Sequence, residues 1–255
     1  MIVCKSPSEI ERMRVANMLV ADVLHELAVM VAPGVTTADL DAAAETLVRA
    51  AGAEPAFKGY RGYPATLCAS INHEVVHGIP SPKRALSEGD IISLDMGVKL
   101  NGFFGDSAIT VPVGRISDDV LKLLTVTQEA LENAIAQVRI GGRVSDIGHA
   151  VQRHVEASGF SVVREFVGHG IGAALHEDPQ IANYGEPGRG PRLAEGMVLA
   201  IEPMVNMGRS AVKVLEDGWT AVTRDGSLSA HFEHTVAVMR DGPMILTQRT
   251  PATVL

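Results

Sequence analysis

The sequence predicts an α+β fold of antiparallel strands about a pseudo-two-fold axis, with a central sheet and helices on the outside. Three observations carry that expectation. Pro33-Gly-Val-Thr-Thr-Ala-Asp39-Leu and Ile140-Gly-Gly-Arg-Val-Ser-Asp146-Ile align without a gap at an offset of 107 residues, the mark of an internal repeat. Helical patterns precede β-rich runs in both copies, as in folds whose helices and antiparallel strands segregate. At the same offset Ser87-Glu-Gly-Asp-Ile-Ile-Ser-Leu-Asp95 falls on Ala194-Glu-Gly-Met-Val-Leu-Ala-Ile-Glu202, so one carboxylate lands on another.

Taken in order, residues 7–31 place Met13, Ala16, Val20, Leu24 and Leu27 at steps of three and four, the helical period. Thr37-Ala-Asp39 is a cap region for a second helix that closes at Gly52. Strands are expected over 75–79, 90–98 and 107–113, where apolar and β-branched residues run together. The second copy repeats the plan with a helix over 117–139, another ending at Gly159, and strands over 197–205, 213–215, 219–222 and 234–239. Phe104-Gly-Asp106-Ser also resembles Phe232-Glu233-His at an offset of 127, the extra length fitting a hairpin at Glu216-Asp-Gly218. A looser match sets Val75-Val-His77-Gly-Ile on Val167-Gly-His169-Gly-Ile at an offset of 92. No polar linker parts the copies, so residues 1–255 read as one domain of two lobes, about 1–113 and 114–255.

Composition narrows the function. Two cysteines, Cys4 and Cys68, cannot build a disulfide scaffold, and with no basic-then-apolar leader they point to the reducing cytoplasm. No run approaches the roughly 18 apolar residues of a membrane span. A net charge of −8 argues against nucleic acid, whose phosphates need a basic face. Aromatics make up only 4% of the chain, so the grouping of Phe57, Tyr60 and Tyr63 is informative.

Asp95 and Glu202 each interrupt an apolar strand-like run, and Asp106 and Glu233 border two more. A buried carboxylate without a partner is costly. If the repeat brings all four to the axis, the economical answer is a pair of divalent metals about 3.5 to 4 Å apart, with His169 as the nitrogen donor. Oxygen-rich ligation suits Mn or Fe(II) and leaves Co or Zn open. His73-Glu74-Val-Val-His77 formally matches the helical zinc motif H-E-x-x-H. Its surroundings oppose a helix, because Val75 and Val76 are β-branched and Gly78 and Pro80 follow.

These residues, with Gly59-Tyr-Arg-Gly-Tyr63-Pro, Ile71-Asn-His-Glu-Val-Val-His77-Gly-Ile-Pro, Gly168-His169-Gly-Ile-Gly, Leu175-His176-Glu, Ile201-Glu202-Pro and Phe232-Glu233-His-Thr, resemble the type I methionine aminopeptidases. The resemblance runs from the first helix to the last strand. It implies the pita-bread fold and hydrolytic removal of the initiator methionine from nascent chains, at the ribosome, when the second residue is small. By resemblance, Asp95, Asp106, His169, Glu202 and Glu233 hold two metals, Glu202 also shuttles a proton, His77 bonds the scissile nitrogen and His176 the oxyanion. Phe57, Tyr60, Tyr63, Cys68, Leu175 and Trp219 would surround the methionine side chain, with Phe57 and Leu175 departing from the usual cysteine and aromatic. Asn72, Glu74 and Ser229 fall on a monovalent-cation site that the family sometimes fills. A monomer is expected, as is retention of Met1 beside the bulky Ile2. The rival readings are a proline-specific relative of prolidase or aminopeptidase P, and a non-catalytic binding protein on the same fold.

Overall fold

The computed structural model describes residues 1–249. Its first half runs α1 (Pro7–Met30), α2 (Thr37–Ala50), β1 (Glu54–Pro55), β2 (Cys68–Ile71), β3 (Glu74–Val76), β4 (Ile91–Leu100) and β5 (Phe103–Pro112). The second half opens with α3 (Asp118–Ile135), α4 (Val144–Ala157), β6 (Ser161–Val162), β7 (Gly168–Gly170) and β8 (Glu177–Ile181). It continues through β9 (Val198–Ile201), β10 (Met204–Asn206), β11 (Val212–Val214), β12 (Ala221–Thr223), β13 (Ser229–His231), β14 (His234–Met239) and β15 (Gly242–Ile245).

Helix α1 starts where Ser6 accepts from the Glu9 N–H while the Glu9 carboxylate takes the Ser6 N–H, a capping box. The second helix is capped in the same way one residue earlier than expected, by Thr36 with Asp39. The periodic stripe of α1 is buried and packs with α2 and the inner face of β4 through Val20, Leu24, Leu27, Leu40, Leu94 and Met96. Helices α3 and α4 cover the second half in the same manner through Leu123, Leu131, Ile147, Val151, Leu199 and Ile201.

The strand pairs are antiparallel. Among the described residues, hydrogen bonding divides them into four sheets with the helices outside, in keeping with the α+β fold expected. One physical cause of the division is Pro203, which lacks an N–H: the predicted 197–205 strand stops at Ile201, and resumes as β10 in a different sheet. Another is the β11–β12 hairpin, the inserted segment of the second copy, which crosses to pair with β3 of the first half.

The two-fold relation is visible in the pairing. Strand β4 lies between β5 and β2, as β9 lies between β14 and β7. A bridge between Ala108 and Glu233 joins β5 to the start of β14 across the axis. The looser repeat at offset 92 does not survive: the partner of β4 equivalent to β7 is β2, while His77 follows β3.

Candidate metal centre and its pocket

Asp95 sits mid-strand in β4 opposite Cys68 of β2, and Asp106 faces Gly97 from β5. Glu202 follows the last residue of β9, Glu233 precedes β14, and His169 is the middle residue of β7. Neighbouring side chains pin the backbone beside three of the carboxylates. Thr235 Oγ1 donates to the Asp106 carbonyl at 2.8 Å, Ser107 Oγ to the Glu233 carbonyl at 2.6 Å, and Asn183 Nδ2 to the Glu202 carbonyl at 2.9 Å.

Ligand atoms of Asp106, His169 and Glu233 all lie within 4.8 Å of one another. His169 Nε2 is 3.7 Å from Glu202 Oε1 and 3.9 Å from Asp106 Oδ2. Its Nδ1 is 2.8 Å from the Gly170 carbonyl, an acceptor only, so Nδ1 carries the proton and Nε2 presents a lone pair to the carboxylates. Asp95 Oδ1, Asp106 Oδ1 and Glu233 Oε1 are buried with no hydrogen-bond partner.

Burial drives the electrostatics. It raises the carboxyl groups of Asp106 and Glu233 well above the ordinary range, and their neighbouring carboxylates push the same way. Burial raises Asp95 and Glu202 too, and it lowers His169 to about 4, with His176 adding to the effect. Among the described residues no Lys or Arg pairs with any of the four acids. Four gathered carboxylates, three of them buried, with orphaned oxygens and a lone-pair nitrogen therefore form a donor set that fits divalent cations.

A cavity of about 150 Å³ opens onto these groups. Its walls include Phe57, Tyr60, Tyr63, Cys68, His77, Leu175, His176 and Trp219, all eight of the residues expected there. Tyr60 stacks on His176 at 5.3 Å and its hydroxyl lies 2.9 Å from His176 Nδ1. Trp219 meets Tyr63 edge-on at 5.1 Å and His77 at 6.2 Å. Burial, then His231 and His176, bring His77 down to about 4, so its ring is neutral. Burial also raises the Cys68 thiol, and Asp95 adds to the rise.

Two residues of the site escaped the reading of the sequence. Arg61 lines the cavity in a left-handed conformation with its guanidinium 5.3 Å from the Tyr60 ring. His231 is 1% exposed with neither ring nitrogen hydrogen-bonded, and its Nε2 is 3.6 Å from Glu202 Oε2. Its place two residues before Glu233 was the only signal available for it.

The zinc-motif alternative fails on geometry. Residues Glu74–Val76 form a strand, and His73 is exposed. The Glu74 carboxylate is engaged by Arg84 and by the Ile71 N–H at 2.7 Å. Asn72 and Ser229 do come together, the Ser229 N–H donating to the Asn72 carbonyl at 2.9 Å, with Glu74 in the adjacent strand.

The sequence matches metallopeptidase family M24 over residues 11–240. The chain belongs to this family. It is 53% identical to the methionine aminopeptidase of Clostridium acetobutylicum over 247 residues, covering 97% of this chain and 99% of that protein. It is 55% identical to methionine aminopeptidase 1 of Bacillus subtilis over 248 residues, covering 97% and 100%. Its fold superposes on the methionine aminopeptidase of Thermotoga maritima with a TM-score of 0.96, at 48% identity over 98% of this chain and all of that one. The prolidase of Pyrococcus furiosus shares the fold alone, with a TM-score of 0.79 at 23% identity and 66% of its chain covered. As an M24 member with the pita-bread fold, the chain is a metallopeptidase, and Asp106, His169 and Glu233 form a cluster that could hold a metal ion.

Proposed function

We propose that this chain is a methionine aminopeptidase that hydrolytically removes the initiator methionine from nascent proteins whose second residue is small. The observation that carries this reading is an aromatic-walled cavity of about 150 Å³ that ends on Asp95, Asp106, His169, Glu202 and Glu233, in a chain about half identical to proteins of that name along nearly its whole length. A thioether packs well on aromatic faces, each contact contributing about 0.3–1.5 kcal/mol, and the Phe57, Tyr60, Tyr63 and Trp219 rings offer such faces.

In this reading Asp95, Asp106, His169, Glu202 and Glu233 hold two divalent ions, drawn from Mn, Fe(II), Co and Zn. Bound there, the ions supply an acidified water and a polarised carbonyl. Glu202, ionised beside the bound cations, takes the proton of the attacking water and passes it to the leaving nitrogen. His77 is neutral and able to hydrogen-bond the scissile peptide N–H. His176 stabilises the oxyanion from Nε2–H, the tautomer in which Nδ1 accepts from the Tyr60 hydroxyl 2.9 Å away. A monovalent cation on the carbonyls of Asn72, Glu74 and Ser229 belongs to the same reading, as does a cytoplasmic monomer acting at the ribosome without a nucleic-acid partner of its own.

The test is mass-spectrometric cleavage of Met-Ala, Met-Ile, Leu-Ala and Ala-Pro peptides in one mixture, with metal-stripped protein and with protein reloaded with each of the four metals. Metal-dependent loss of methionine from Met-Ala alone is the expected outcome. Cleavage only before proline would transfer the chain to the prolidase type, and no cleavage under any metal would favour a binding protein.

A further inference from the structure

Lys5 is a charged residue placed where charge is expensive. It lies in the extended segment ahead of α1, yet its side chain is 4% exposed. The ammonium donates to Glu177 Oε2 at 2.5 Å and to the Val3 carbonyl at 3.1 Å, and the Lys5 N–H donates to the Gly196 carbonyl at 2.7 Å. Its stem runs beneath the turn that joins β7 to β8: a methyl on Gly172 would sit 2.4 Å from Lys5 Cε. Glu177 is 13% exposed, and its second oxygen accepts from the Ala174 N–H at 3.1 Å inside the same turn. Both carboxylate oxygens are thus committed, one closing the turn and one tying it to Lys5.

That turn carries Leu175 and His176, and Glu177 is the residue that follows them. Two other groups touch the His176 ring: Tyr60, whose hydroxyl and face come from the first half of the chain on another wall of the cavity, and His169, whose ring centroid lies 4.2 Å away. A buried ion pair is weak evidence for stability as such, because desolvation offsets much of its attraction. Its clearest effect here is geometric. We propose that Lys5 and Glu177 are a positioning pair that holds the Leu175–His176 turn against the substrate pocket, so that His176 meets the reacting carbonyl in a single orientation. The catalytic part of this inference rests on the methionine aminopeptidase reading, through the role of His176.

The test uses the full-length, metal-loaded protein with Lys5→Met, Glu177→Gln and Lys5→Arg, each alone and combined with His176→Ala. Lys5→Met and Glu177→Gln are each expected to lower kcat on a Met-Ala peptide roughly tenfold with KM within about twofold, since misplacing a catalytic group by a fraction of an ångström has that scale of effect. In the His176→Ala background the same changes should cost less than about twofold, because the residue they position is gone. Lys5→Arg should recover most of the loss. Independently of turnover, NMR of isotope-labelled histidine should show one sharp set of His176 ring signals in the parent protein and in Lys5→Arg, and broadened or doubled signals in Lys5→Met. Should Lys5→Met fail to fold, Glu177→Gln, which keeps the acceptor for Ala174, carries the same comparison. Equal losses in both backgrounds, or His176 signals unmoved by loss of the pair, would overturn the proposal. A parent protein that leaves Met-Ala uncut sinks the functional reading instead, and the ring signals still decide the pair.

Discussion

The two ring nitrogens of His169 face different partners, and that asymmetry fixes its chemistry. With Nδ1–H held by the Gly170 carbonyl, Nε2 can only accept, which is what a metal requires. The neighbouring acids have the opposite difficulty, since each is held in a site that disfavours its charge. Asp106→Asn should therefore abolish tight metal binding in calorimetry while raising the thermal midpoint of the metal-free protein, by about 2–4 °C for each kcal/mol regained. His176→Ala should lower kcat by roughly a hundredfold and leave metal affinity intact, the scale typical of a lost oxyanion donor. Residues of this kind were legible because an acid in an apolar strand is conspicuous, and the repeat showed that Asp95 and Glu202 were not isolated cases. Arg61 and His231 were not legible, because one depends on a left-handed backbone and the other on burial that no local pattern encodes.

Among the elements, β7 shows how tightly the site is built. Gly168 and Gly170 flank His169 with no side chains, and a Cβ on Gly168 would lie 2.4 Å from the Ala200 carbonyl of β9. Gly168→Ala should thus part β7 from β9, destabilise the fold by about 1–3 kcal/mol as overpacking does, and lower metal affinity by displacing His169; denaturant titration and calorimetry read the two effects. The long periodic elements, α1, α3 and the β4–β5 hairpin, were readable from the sequence. Of the short strands, β3, β11 and β12 were legible from their β-branched runs, whereas β2, β7 and β13 were not, since their three or four residues are mostly small or polar. The broken strand at Glu202 has a local cause that could be read, Pro203, although its consequence, a change of sheet, could not.

At the scale of the whole molecule, the proposed ligands are divided between the halves: Asp95 and Asp106 come from the first, His169, Glu202 and Glu233 from the second. A bound cation therefore clamps the axis as well as neutralising it. Metal-free protein should respond to pH in a recognisable way. The raised acids bind protons in the folded state that the unfolded chain has already released, so their protonation favours the fold at low pH and that advantage fades as pH rises towards their shifted values. His77 and His169, lowered to about 4, act oppositely and destabilise the fold as pH falls from about 6.5 towards that value. Above the ordinary imidazole range only the acid effect remains, so the thermal midpoint of the stripped protein should fall with increasing pH while that of the metal-saturated protein holds. Scanning calorimetry on both forms checks this. The division of ligands also has a meaning in time. Glu233 lies close to the end of the described chain, and β14, which follows it, closes against β9. Synthesis that has passed residue 204 has delivered four of the five groups, Asp95, Asp106, His169 and Glu202, and still lacks the strand that locks β9 in place, so the cluster closes in one step once Glu233 and β14 follow.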